Sequence, residues 1–272
     1  MQKPRTSSNP AFKNVDAIVQ AQQNAAPTAS ALQDMYNQPS YTPPATAGRR
    51  YLTVDDVIAK TATVLGVAII AALATIWLQN SGTVNTYGLM IPALLVGFVL
   101  SMVIIFKRSS NPGLILAYSI AEGILLGAIT GLFESIPQYE GIGLQALAGT
   151  MSVFVGMLVV YKTGAIRVTP KFTKMIIGAM IGIVGLLLVN LVASLFGFDM
   201  GIRSGGPLSI VISLVIIVVA ALSFLLDFDQ IERAVKDGAP ANTAWYYAFG
   251  LMVTLVWLYL EILRLLSYLR QD

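Results

Sequence analysis

Acidic side chains inside long apolar segments are the residues of this 272-residue chain whose positions could support chemistry. Glu122, Asp227 and Glu261 lie within or at the end of such segments. A carboxylate is costly in hydrocarbon unless it has a partner or a role, so an intramembrane acid marks a candidate functional site. Carboxylate oxygens also coordinate hard cations such as Ca²⁺. We therefore predict an ion or proton path that involves Asp227 and Glu122.

Other chemistry is restricted by the complete lack of cysteine and histidine in the sequence. Thiolate nucleophiles, disulfides, Cys/His zinc sites and imidazole bases are excluded. The sequence also lacks a Gly-x-Ser-x-Gly elbow, so we expect no enzyme activity and no bound cofactor. The last apolar segment contains no lysine that could form a Schiff base, which excludes a retinal receptor.

The elements that position these acids are predicted to be transmembrane helices. Hydrophobic residues make up 56% of the chain, charged residues 11%, and the mean hydropathy is +0.73. Soluble domains carry about 25% charged residues, so the composition indicates an all-α membrane protein whose main partner is the lipid bilayer. Thr53 and Asp56 match a capping box before the first apolar segment. Seven spans are predicted, at about 57–78, 87–106, 114–133, 142–161, 175–197, 207–226 and 245–269.

The N-terminal segment differs from the rest of the chain in composition. Residues 1–50 are rich in Pro, Ser, Thr, Asn, Gln and Ala, which predicts a disordered tail before a helical domain over 51–272. A binding motif inside this tail remains an alternative. The sequence pI of about 9.1 does not indicate nucleic-acid binding, because the basic residues lie mostly in a few loops.

The loop charges predict the orientation in the membrane. Two of the loops on one side, 79–86 and 134–141, contain no Lys or Arg, and the third contains only Arg203. By the positive-inside rule the N-terminus is cytoplasmic and the C-terminus lies outside, which leaves Arg270 on the unexpected side. The basic residues of the other side are Arg49, Arg50, Lys107, Arg108, Lys162, Arg167, Lys171, Lys174, Arg233 and Lys236.

Helix geometry gives an expected depth for each polar residue. Glu122 is placed roughly 12 Å from the cytoplasmic end of its span, and Thr254 lies at a similar depth. Asp227 follows the predicted end of span six and is expected near the surface. We therefore predict a mid-membrane site of Glu122 and Thr254, a cytoplasmic gate at Asp227, and Glu261 nearer the outer mouth. A neutral Glu122 that only bonds a neighbouring helix remains an alternative.

Two further charged positions have simpler interpretations. Asp229 has Arg233 four residues later, which indicates a solvated charged face rather than an inward-facing acid. Arg264 follows Glu261 by three residues, so these two form either part of the path or an ion pair near the outer interface. Small residues at a spacing of three or four predict close helix contacts in two spans, at Gly123, Gly127, Gly131, Gly178, Gly182 and Gly185.

Three motifs resemble the Bax-inhibitor family, and more specifically its bacterial branch. They are Glu122-Gly-x-x-x-Gly127 in span three, Leu226-Asp227-x-x-Gln230-Ile231 ending span six, and Leu-Tyr-Leu-x-x-Leu-Arg264-Leu-Leu ending span seven. The resemblance runs from about Thr53 to the C-terminus. Their order within seven spans makes the resemblance specific, although each motif is weak alone.

The resemblance implies six helices around a central seventh and a pH-sensitive calcium leak in the bacterial plasma membrane. For such a leak we predict Asp227 and Glu122 as transient calcium contacts. It also implies an aspartate ending span six that pairs with a second aspartate on span seven. Asp227 matches the first position, whereas alignment on Arg264 places Thr254 at the second. The competing hypothesis is a membrane partner that transports nothing and modulates a membrane protease or quality-control complex.

Overall fold

The computed structural model describes Ala29, Gln33 and residues 50–82, 85–198 and 200–271. Its described part contains no β-strand and seven helices long and apolar enough to cross a membrane, which confirms the predicted fold class. The predicted tail, apart from Ala29, Gln33 and Arg50, lies outside these residues. The helices are α1 (Val54–Asn80), α2 (Thr86–Lys107), α3 (Pro112–Glu134), α4 (Ile142–Thr163), α5 (Pro170–Leu195), α6 (Pro207–Lys236) and α7 (Ala244–Leu269).

Local capping explains where several helices begin. The predicted capping box is present, because the Thr53 hydroxyl accepts from the Asp56 amide while the Asp56 carboxylate accepts from the Thr53 amide. The Asn111 side chain accepts from the Gly113 amide at 2.8 Å and caps α3. Each cap satisfies a backbone donor that has no partner within its own helix.

Helix α6 is longer than predicted, since it ends at Lys236 rather than near Leu226. Hydropathy ends a span where charge begins, but here the charged residues continue the helix. Asp229 and Arg233 form an ion pair at 2.8 Å, and Glu232 pairs with Lys236, both at a spacing of four. This extension places Asp227 well inside the helix instead of at its end.

Helix α7 contacts four other helices of the bundle, as α3 and α6 also do. It packs mainly against α1, α3, α4 and α6, whereas α2 packs mainly on α3 and α5 on α6. Residues on most sides of α7 are buried, including Phe249, Met252, Leu255 and Leu258. The arrangement of six helices around a central α7 stays a prediction.

The two predicted glycine faces differ in their surroundings. A Cβ at Gly123 or Gly127 would overlap the carbonyl oxygen of Ala68 or Ala72, so α1 and α3 are in backbone contact there. A Cβ at Gly131 would likewise overlap the Gln79 side chain. This confirms the close contact predicted for the first set.

The prediction is wrong for Gly178, Gly182 and Gly185 of α5. A Cβ at these positions would meet no other atom within 4 Å in the described part of the chain. Their spacing of four and three is close to that of the α3 glycines, but no helix of the described chain lies against this side of α5.

Candidate functional site

Asp227 and Thr254 form a polar pair between α6 and α7. The Thr254 hydroxyl donates to Asp227 Oδ2 at 2.8 Å and also lies 3.4 Å from the Gly250 carbonyl oxygen. Asp227 lies nine residues before Lys236, and Thr254 lies ten residues after Ala244. At about 1.5 Å per residue, both are therefore about 14 Å from the same end of the bundle.

This pair corrects the predicted arrangement of the acids. Asp227 does not end its helix, because α6 continues past it to Lys236, and its role as a gate stays a prediction. Thr254 does not form a site with Glu122, since its described hydroxyl contacts are to Asp227 and to its own helix. The prediction failed because hydropathy placed the end of α6 too early. The family resemblance, which pairs the positions of Asp227 and Thr254, predicts their contact correctly.

A cavity of about 260 Å³ lies beside Asp227 and Thr254. It is polar at this pair and at Gln230, and aromatic where Tyr246 and Phe249 line it. Asp227 is half-buried and lines this cavity. A carboxylate, a hydroxyl and an amide are oxygen donors that suit a hard cation or a relayed proton.

Glu122 lies against different neighbours from those predicted. A Cβ at Gly97 of α2 would be 3.5 Å from Glu122 Oε1, and the carboxyl interacts with the Tyr118 phenol one turn before it. The Tyr118 ring packs edge-on against Phe249, with centroids 4.9 Å apart. Because Phe249 lines the Asp227 cavity, two aromatic rings connect Glu122 with that cavity.

Asp229 faces away from the Asp227 cavity. It lines a separate cavity and pairs with Arg233, as its spacing predicts. Residues two apart on a helix point to nearly opposite sides, which explains why neighbouring acids of α6 have different surroundings. Asp229 is therefore a useful control for Asp227.

Glu261 is held by two arginines at the other end of α7. The residue is only 2% exposed, and its Oε1 accepts from Arg264 Nη1 at 2.6 Å and lies 3.4 Å from Arg203 Nη2. Glu261 Oε2 has no hydrogen-bond partner in the described part of the chain. The geometry favours the ion-pair interpretation of Glu261 and Arg264 over a place in a path.

Arg203 was not predicted as part of this cluster. It lies in the loop before α6, 58 residues from Glu261, and no local spacing indicates the contact. Burial lowers the pKa of Arg203, as does repulsion from Arg264, while attraction to Glu261 opposes both effects. The unusually placed Arg270 is also bound, because it donates to the Glu140 carbonyl at 3.0 Å and to Gln145 Oε1 at 2.8 Å.

The predicted calcium contacts do not form a closed metal site. Within the described ranges, no group of three or more acidic, histidine or cysteine side chains could hold a metal ion together. Asp227 pairs with a hydroxyl, and Glu122 lies near a phenol. Such sparse donors suit a passing cation rather than a resident one.

Comparison with known proteins gives the family. A model of Bax inhibitor 1-like proteins matches residues 9–271. The chain belongs to the Bax inhibitor 1-like family. No curated protein matches the chain. The family match begins well before Thr53, so it includes much of the N-terminal segment that the sequence motifs had left outside. In this Bax inhibitor 1-like protein, the residue that pairs with Asp227 is Thr254.

Proposed function

We propose that this protein is a pH-modulated cation leak, most directly for calcium, with Asp227 on the ion path. The observation that carries the proposal is the bond between Thr254 and Asp227 beside a partly open cavity between α2, α6 and α7. A carboxylate at this depth attracts a cation when it is charged and loses that attraction when it is protonated. The leak therefore responds to pH through a group on the path itself.

The pH response is proposed to depend on one acid rather than two. The family resemblance implies two paired aspartates, whereas this chain pairs one aspartate with a threonine. Two adjacent carboxylates titrate as a coupled pair, but a carboxylate beside a hydroxyl has no second acid to share its proton. The protein thus keeps one titrating carboxyl group, Asp227, but has no second acid with which its titration would be coupled.

The proposed location is the bacterial plasma membrane, with the N-terminus in the cytoplasm. The end of the bundle that carries Lys107, Lys162 and Lys236, here called the basic end, would then face inward. Asp227 and Thr254 would lie about 14 Å from that end of the bundle. Calcium, other cations and the bilayer are the proposed partners.

The test is calcium flux into proteoliposomes from about pH 5 to pH 8. We expect wild-type protein to pass calcium in a pH-dependent manner and Asp227→Asn to abolish the pH dependence. Asp229→Asn is the matched control, because Asp229 lies on the same helix but is paired with Arg233 away from the cavity. Flux no greater than that of empty liposomes would overturn the leak and favour a membrane partner of a protease. A pH profile that Asp227→Asn leaves unchanged would remove Asp227 from the path.

A further inference from the structure

A lateral cleft separates α1 from α4. Both helices pack on α7 but make no extensive contact with each other in the described part of the chain. Two cavities lie along this separation, and Leu65 of α1 lines both of them. The cleft therefore follows much of the height of the bundle, with α7 as its inner wall.

The larger cavity lies nearer the basic end and has a volume of about 760 Å³, within the range of ligand-binding pockets. Its walls are mainly apolar, from Ile58 and Leu65 of α1, Phe154 and Leu158 of α4, and Leu251 of α7. The smaller cavity, of about 290 Å³, continues between the same helices. A long flexible hydrocarbon chain matches this shape.

The rim of the larger cavity is positively charged. Lys162 and Arg167 line it and are exposed, and neither has an acidic partner among the described residues. The acids on the same rim are already neutralised, because Asp229 pairs with Arg233 and Glu232 with Lys236. Two basic groups are therefore available to an anion at the mouth of the cleft.

The wall also contains an unsatisfied polar group. Thr61 lines the larger cavity and is 6% exposed, yet its hydroxyl has no hydrogen-bond partner in the described part of the chain. A buried hydroxyl without a partner is unfavourable. This oxygen is enclosed by protein atoms, so a ligand in the cleft contacts other atoms of Thr61.

We propose that the α1/α4 cleft binds an anionic phospholipid, with its phosphate at Lys162 and Arg167 and an acyl chain along α7. Basic pockets between transmembrane helices on the cytoplasmic side bind anionic headgroups, and the basic end is the proposed cytoplasmic side. The cleft opens laterally towards the bilayer, where such lipids are abundant. This binding site does not depend on the proposed leak.

Binding is tested with the full-length protein purified in a neutral detergent. Dioleoylphosphatidylglycerol and dioleoylphosphatidylcholine are titrated separately, and bound lipid is counted by native mass spectrometry. We expect the wild type to bind dioleoylphosphatidylglycerol at least about tenfold more tightly than dioleoylphosphatidylcholine. The double variant Lys162→Gln/Arg167→Gln should lose about tenfold or more, since each basic group contributes appreciably to anionic-lipid binding. Lys171→Gln/Lys174→Gln is the control, because it removes the same charge from α5, outside the cleft.

A second pair of variants tests the apolar part of the site. Ala62 is exposed and lines the larger cavity, whereas the exposed Thr63 beside it does not. Ala62→Phe should fill the cleft and weaken binding of the anionic lipid, while Thr63→Phe should leave it unchanged. Equal binding of both lipids, or equal losses in the two charge variants, would overturn the proposal. Binding that survives Ala62→Phe would also overturn it, because the lipid would then bind only at the surface.

Discussion

The Thr254 hydroxyl donates to Asp227 Oδ2 at 2.8 Å, which joins α7 to α6 about 14 Å from the basic end of the bundle. The hydroxyl satisfies one oxygen of the carboxylate and leaves the rest of the group facing a cavity. The same bond thus both holds two helices together and orients the acid on the proposed path.

The interaction between these two side chains is measurable as a coupling free energy. Thr254→Val keeps the shape of the side chain but removes the donor, and we expect a loss of about 1 kcal/mol in the free energy of unfolding. In a double-mutant cycle with Asp227→Ala, the two losses should not add. SDS-induced unfolding in mixed micelles measures both quantities.

Thr75→Val is the control for Thr254→Val. The Thr75 hydroxyl is also buried, but it bonds only the Ala71 carbonyl of its own helix, at 2.8 Å. We expect no coupling between Thr75→Val and Asp227→Ala. A coupling as large as that of Thr254 would mean that the cycle reports general destabilisation.

The carboxylate can be moved across the pair without leaving the cavity. Asp227→Asn removes the titrating group. Adding Thr254→Asp to this variant restores a carboxyl group within hydrogen-bond distance of the side chain at position 227. We expect calcium flux in the variant with both changes to regain its dependence on pH. Thr150→Asp in the same background is the control, because Thr150 lies on α4 and bonds Ala146. Flux that remains independent of pH after Thr254→Asp would show that only position 227 senses the proton.

The number of helices could be predicted from the sequence because each apolar segment is long enough to span the membrane by itself. The end of α6 could not be predicted in this way, because hydropathy does not detect a helix that continues through paired charges such as Asp229 and Arg233. That single boundary moved Asp227 from the predicted surface to the depth of Thr254. Errors in axial position matter most where two helices must align.

Contacts between distant segments were the other part that the sequence did not predict. Gly127 and Gly182 occur in similar patterns, yet only Gly127 contacts a neighbouring helix. Arg203 belongs to the Glu261 cluster through a loop contact that no periodicity reveals. Spacing identifies which face of a helix is suited to contact, whereas the identity of the neighbour depends on the whole fold.

The Glu261 cluster is expected to contribute to stability rather than to conduction. Glu261→Gln leaves Arg264 and Arg203 without their carboxylate, and breaking a buried ion pair in this way costs about 3–5 kcal/mol. We expect a large fall in the unfolding midpoint, while the pH profile of the flux keeps its shape. Glu232→Gln, at an exposed ion pair, should cost less than about 1 kcal/mol. If Glu261→Gln changed the pH profile of the calcium flux, Glu261 would have to be part of the ion path.

Gly127 of α3 and Gly182 of α5 each lie four residues after another glycine but have different surroundings. Gly127→Ala introduces a Cβ that overlaps the backbone of Ala72, so α1 and α3 must separate, and we expect a loss of about 1–3 kcal/mol in the free energy of unfolding. Gly182→Ala adds its methyl group to open space on α5, where the better helix propensity of alanine should stabilise the protein by up to about 1 kcal/mol. Unfolding of both variants in mixed micelles shows whether each substitution raises or lowers the free energy of unfolding. A loss at Gly182 as large as that at Gly127 would mean that the α5 face is packed against a neighbour, for example a second copy of the chain.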